Sequence, residues 1–128
     1  MYFSKSKYTG FWKCPKITWL EKYKPEEKEI DEDALGRMEK GNAVGDLAMG
    51  LFGDFTEVTT ISEDGKLDLD EMKRKTAECI DKGVENICEA SFDYNGLYCA
   101  VDILRKENGG YAIYEVKSST KLKYYYLV

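Results

Sequence analysis

The dipeptide Asn95-Gly96, set between two β-rich runs, constrains this chain more than any other feature. Asn-Gly suits a two-residue type I′ hairpin, because both central residues of that turn need positive φ. The flanking runs, roughly Asn86 to Tyr94 and Leu97 to Lys106, therefore read as antiparallel strands. A second turn at Glu107-Asn108-Gly109-Gly110 brings in a third strand, Tyr111 to Ser118. The turns also set the register. Tyr94 faces Leu97, so Glu89 faces Asp102; Lys106 faces Tyr111, so Asp102 faces Glu115 and Ala100 faces Lys117. Glu89, Asp102 and Glu115 then form one row across the three strands.

Strict alternation places that row on a face with Ile87, Leu104 and Ile113 to one side and Ser91, Ala100 and Lys117 to the other. The opposite face carries Cys88, Ile103, Tyr114, Ala90, Val101 and Val116, the composition of a core. Directly opposed side chains lie about 4.5–5.5 Å apart at Cβ, where like charges destabilise a sheet. A divalent cation such as Mg²⁺, bound by one or two carboxylates plus water and phosphate oxygens, is the natural compensator. Lys117, two residues from Glu115 and on its face, adds positive charge beside it. An ammonium there can orient or help deprotonate a water, or stabilise a charged transition state. The pattern points to metal-assisted hydrolysis of a phosphate ester without histidine, of which the chain has none. The non-functional alternatives are a solvated sheet face on which acids align, and neighbouring carboxyls that share a proton.

Upstream of the sheet, Asp68 is placed to cap a helix that carries Leu69, Met72, Thr76, Cys79 and Ile80 on one side and ends at Gly83. Glu57 to Ile61 reads as a short strand, closed by a turn at Asp64-Gly65. An earlier helix starts from Asp31 or Asp33 and ends near Gly50 or Gly53, with Leu35, Met38, Leu47, Ala48 and Leu51 expected on its buried side. Ser4 to Tyr23 reads as two short helical pieces around Gly10 and Pro15.

With a net charge of −5 the chain is not coated in positive potential, but its charges are unevenly spread. Lys5, Lys7, Lys13, Lys16, Lys22 and Lys24 stand against the single acid Glu21, interleaved with Tyr8, Phe11, Trp12, Trp19 and Tyr23. Such a stretch either faces phosphates or is the solvated side of an amphipathic helix. Its 128 residues fit one domain, 1–128. No run of eighteen apolar residues is present and residues 1–7 lack the apolar stretch of a secretory signal, so the chain is expected to be soluble and cytoplasmic, without a membrane partner. Cys14, Cys79, Cys88 and Cys99 contain no CxxC pair. They read as free thiols in or near the core, and no iron–sulfur cluster is expected.

Asp102 on one strand and Glu115-Val116-Lys117 on the next resemble the PD-(D/E)XK nuclease superfamily, and the Val101–Leu104 and Glu115–Thr120 segments look like its RecB-type, CRISPR-adaptation-nuclease branch. Lys5, Tyr8, Cys14-Pro15, Trp19-Leu20 and the Gly41–Phe52 helix resemble the N-terminal segments of that branch. The resemblance implies an α/β, α+β-like fold with a restriction-endonuclease-like core: a three-stranded antiparallel meander flanked by N-terminal helices. It also implies Mg²⁺ or Mn²⁺ held by Asp102, Glu115 and the Val116 carbonyl, with Lys117 as catalytic lysine. Register adds Glu89 as a further ligand. Lys5, Lys7, Lys13, Lys16, Ser118 and Ser119 are the expected nucleic-acid contacts, and DNA, as single strands or ends, the expected partner.

Two departures from the branch stand out. The first helix has no histidine near Gly45, leaving Glu39 or Asp46 to substitute, and the usual helix and strand after the lysine are not expected before Val128. Cys14 lacks the three later cysteines with which cluster-bearing members pair it, and is expected to be buried beside Trp19. A non-catalytic nuclease-fold module that binds a partner is the competing reading. Self-association through apolar surface near the C-terminus is a third.

Overall fold

The structure, a computed structural model, describes residues 3–29 and 31–124. In chain order the elements are β1 (Phe3–Ser4), α1 (Lys5–Lys13), α2 (Pro15–Tyr23), a 3-10 turn (Pro25–Glu27), α3 (Glu32–Met49), β2 (Thr56–Glu57), α4 (Leu69–Asp81), β3 (Asn86–Tyr94), β4 (Leu97–Glu107) and β5 (Gly110–Tyr114). Helices and a mixed five-stranded sheet together make an α/β chain.

The meander forms with the expected register. Tyr94 pairs Leu97 and Lys106 pairs Tyr111, with Asn95 (φ 48) and Gly96 (φ 79) forming the first turn. Asn108 (φ 49) and Gly109 (φ 79) repeat that geometry in the second, so each loop has two left-handed residues. Two short parallel strands extend the sheet, and only the first, β1, has no counterpart in the local pattern. β1 pairs Leu97 and Tyr98 on one edge of β4, and β2 pairs Ile87 and Cys88 on the far side of β3. The strand expected at Glu57 to Ile61 is thus reduced to Thr56–Glu57, with an isolated bridge between Ile61 and Leu67.

The third strand is shorter than expected. β5 stops at Tyr114 and does not run to Ser118, because the next available amide turns away from the ladder: Val116 donates its N–H to the Asp102 side chain at 2.6 Å. Lys117 consequently does not lie opposite Ala100.

Helix ends follow their capping residues. The Asp68 carboxylate accepts the Glu71 N–H at 3.0 Å to start α4, and Gly83 at φ 70 lets the chain reverse after it. Asp31 caps α3 by accepting the Ala34 N–H at 2.6 Å. Ser4 caps α1 from Lys7 at 3.3 Å, and Pro15 occupies the first position of α2, where its missing N–H costs nothing. Cys14 is the joint between these helices and is half-buried, unlike the buried residue expected beside Trp19, which is itself exposed.

The core lies between α4 and the sheet. Met72, Thr76 and Cys79 of α4 are buried, and Val58, Cys79, Ile87, Ala90, Val101 and Leu104 form one buried cluster. Each fully buried Val, Ile or Met contributes about 1.5–3 kcal/mol. α3 lies near the other face: Cys88 Sγ reaches the Met49 carbonyl at 3.8 Å, and Phe52 stacks on Tyr114 with ring centroids 4.7 Å apart. Of the residues expected on the buried side of this helix, Leu35, Met38, Leu47 and Leu51 are exposed and Ala48 is half-buried. Gly41, Gly45 and Met49, one turn apart on a single stripe, face the sheet instead. Among the described residues no helix is long and apolar enough to cross a membrane.

Candidate metal centre

The site is built where β3 breaks its alternation. Ile87 and Ala90 are three residues apart, yet both belong to the cluster under α4, as do Val101 and Leu104 on β4. Between them Glu89 takes φ 58, a left-handed conformation that a non-glycine residue adopts only at a cost. The ladder runs from Cys88–Ile103 directly to Ala90–Val101, leaving Glu89 and Asp102 out of the regular pairing. This switch corrects the expected faces. Glu89 and Asp102 open into a cleft under α3, while Ile87 and Leu104 remain in the core on the other side. Backbone held in a sparsely populated region clusters at functional sites, and Glu89 is such a residue in the acid row.

Gly41, Asn42, Gly45, Asp46 and Met49 of α3, with Glu89, Asp102 and Val116 of the sheet, line a cleft of about 230 Å³. Asp46, one of the two acids left to replace the absent histidine, is at this cleft; Glu39 is exposed and is not part of its lining. Glu115 and Lys117 stand at its margin. Lys117 Nζ is hydrogen-bonded to Glu115 Oε1, donates to the Val116 carbonyl at 3.0 Å, and lies 4.0 Å from Asp102 Oδ2. Asp102, Glu115 and Lys117 are therefore gathered in one place, by the register and by the Val116–Asp102 hydrogen bond.

Lys5 is the residue whose place the sequence does not give. Grouped there with the phosphate-facing lysines, it sits in the acid row, 2.7 Å from Glu115 Oε2 and donating to the Ala100 carbonyl at 3.1 Å. Lys13 and Lys16 are exposed on α1 and α2, and Lys7 is half-buried on α1. Ser118 and Ser119 are exposed; Ser119 Oγ donates to the Lys121 carbonyl at 2.8 Å and accepts the Lys121 N–H at 3.3 Å, closing a local turn.

The electrostatics separate the acids. Burial, then the charge of Asp102, pushes the Glu89 carboxyl above its ordinary range, with Lys5 acting against them. Burial also pushes Glu115 up, but hydrogen bonds from Lys117 and Lys5 outweigh it and hold this carboxyl low. Cys88, buried beside Glu57 and Glu89, has its thiol pushed up to about 11, first by burial and then by those two charges.

The donors fit a hard divalent cation in kind. They are all oxygen: the carboxylates of Asp102, Glu115 and Glu89 and the Val116 carbonyl. Among the described residues no three His, Cys, Asp or Glu side chains converge tightly enough to hold an ion by themselves. Mg²⁺ asks for fewer, since one or two carboxylates with water and phosphate oxygens complete its shell. No protein-family description, curated protein or solved structure matches this chain.

Proposed function

We propose that this chain is a metal-dependent nuclease domain that hydrolyses DNA phosphodiester bonds through Asp102, Glu115 and Lys117, as its resemblance to PD-(D/E)XK nucleases implies. The observation that supports it most is the convergence of the two acids and the lysine at the margin of a cleft, beside a strained Glu89. Asp102 and Glu115, with the Val116 carbonyl, would hold Mg²⁺ or Mn²⁺, and Glu89 would add a further ligand or orient a bound water. The ion, when bound, supplies a water of lowered pKa and polarises the phosphodiester.

The chain's own groups carry the remaining steps. Lys117, within reach of both acids, orients the attacking water and offsets the charge that develops on the phosphoryl oxygens. Val116 holds Asp102 in one orientation through its N–H. Basic residues of α1 and α2, Lys7, Lys13 and Lys16, supply the long-range attraction for a phosphate backbone. DNA as single strands or ends is the proposed substrate.

Cleavage of labelled DNA in the presence of Mg²⁺, abolished by chelation and by Asp102→Ala, is the expected result. A folded wild type that cuts neither single- nor double-stranded DNA with Mg²⁺ or Mn²⁺ would leave the second reading, a non-catalytic binding module. That reading draws on the exposure of apolar side chains on α1 to α3, among them Trp12, Trp19, Met38 and Leu47.

A further inference from the structure

Lys5 is the first residue of α1, and the first turn of that helix contains Lys5 and Lys7 but no acid. A cation there opposes the positive end of the helix dipole, so its placement is unfavourable unless something else compensates. The compensating group is Glu115, 110 residues away in sequence. Two backbone features hold Lys5 against it. Phe3 donates its N–H to the Gly96 carbonyl at 2.8 Å, and β1 pairs with Leu97 and Tyr98, so Lys5 follows directly beyond a strand laid on the β4 edge. Farther along that edge β5 pairs only from Ile103 onward. The stretch between the two partners includes Ala100, whose carbonyl accepts from Lys5 Nζ at 3.1 Å.

Both oxygens of Glu115 are thereby met by ammonium groups, Lys5 on Oε2 and Lys117 on Oε1. Lys5 also opposes the charge of Glu89. It is a resident counter-charge for two of the three acids in the row, sharing Glu115 with Lys117.

We propose that Lys5 and a divalent cation compete for Glu115, so that metal loading at the acid row loosens the hold of the N-terminal segment on the sheet. This inference rests on the metal-site reading above. An ammonium beside a ligand oxygen repels an incoming dication, and in a half-exposed site the repulsion is worth a modest factor. Lys5 is a positioning residue: it acts on the ligand carboxylate and sets how tightly that carboxylate is available.

The test is calorimetric Mn²⁺ titration of the full chain as wild type, Lys5→Met, Lys5→Arg and Lys66→Met. Lys66 pairs with Asp64 in the turn before α4, and its removal controls for net charge alone. Lys5→Met is expected to bind Mn²⁺ about threefold to tenfold more tightly, with the other two variants within about twofold of wild type. In the wild type itself, the Lys5 ζ-nitrogen NMR signal is expected to shift on Mg²⁺ addition, a readout that holds even if Lys5→Met does not fold. Mn²⁺ affinity unchanged or weakened in a folded Lys5→Met, or a Lys5 signal indifferent to bound Mg²⁺, overturns the competition and leaves the metal site standing. No Mn²⁺ heat from the wild type or any variant sinks the metal site itself, and the competition with it.

Discussion

Val116 donates its amide N–H to Asp102 Oδ2 at 2.6 Å, at the point where β5 leaves the β4 ladder. One hydrogen bond thus ends a strand and orients a proposed metal ligand. Asp102→Asn keeps an oxygen to accept this N–H, whereas Asp102→Ala removes it. Urea unfolding is expected to show Asp102→Ala destabilised by about 1–3 kcal/mol relative to Asp102→Asn. Both variants are expected to lose metal-dependent cleavage, which separates the structural role of the side chain from the chemical one.

Glu89 combines a left-handed backbone with a carboxyl pushed up by burial and by Asp102. Its folded pKa lies above the ordinary 4.5, so the native state binds the proton more readily than the unfolded chain. The destabilisation therefore grows as pH rises from that value through the folded pKa, and is absent below it. Glu89→Gln is expected to be more stable than wild type at pH 7 and equal to it near pH 3, when both are followed by thermal melts across about that range. Glu89→Gly is expected to gain a further increment of about 1–2 kcal/mol by relieving the backbone, and Glu89→Val to lose stability.

Glu115 titrates in the opposite sense. Its folded carboxyl is held low by Lys117 and Lys5 against the effect of burial, so the pairing stabilises the fold above the ordinary 4.5 and fades as pH falls through the lower folded value. Because the Lys5 and Glu115 side chains are 40% and 33% exposed, solvent screening limits the contribution of their pair to under about 1 kcal/mol. The stability difference between wild type and Lys5→Met, measured by urea unfolding, is expected to be small at pH 7 and to shrink as the pH falls below the ordinary 4.5.

The cysteines offer a chemical probe of the same face. Cys88 is fully buried with its thiol pushed up to about 11, while Cys14 and Cys99 are half-buried. Thiolate is the reactive species. Mass spectrometry after brief iodoacetamide treatment at pH 8 is expected to find Cys14 and Cys99 alkylated and Cys88 intact; early labelling of Cys88 would contradict the packing under α3.

Register is legible in this sequence because Asn95-Gly96 and Asn108-Gly109 permit so few turns, and the acid row follows by counting. The caps at Asp31 and Asp68 and the break before Pro15 are equally local. What lies beyond local reading has physical reasons. β1 is two residues long, too short to carry a period, and the β-branched run at Glu57 to Ile61 marks a strand without giving the two-residue extent of β2. The change of face at Glu89 leaves no residue-type signal, since a glycine or asparagine would have marked a positive φ and a glutamate does not. The apolar side chains of α3 suggested its inner side, but Gly41 and Gly45 line the cleft that faces the sheet, and a Cβ at either would meet nothing within 4 Å. Lys5 and Glu115 meet through tertiary folding alone; the one hint was a lysine opening a helix whose first turn contains no acid.

If Asp102, Glu115 and Lys117 act together on a phosphodiester, single-turnover cleavage of labelled DNA with saturating Mn²⁺ depends on the lysine as well as on the acids. Lys117→Ala, folded and still able to bind Mn²⁺, is expected to cut about 10²–10⁴ times more slowly than wild type. A Lys117→Ala variant that cuts at the wild-type rate would contradict it.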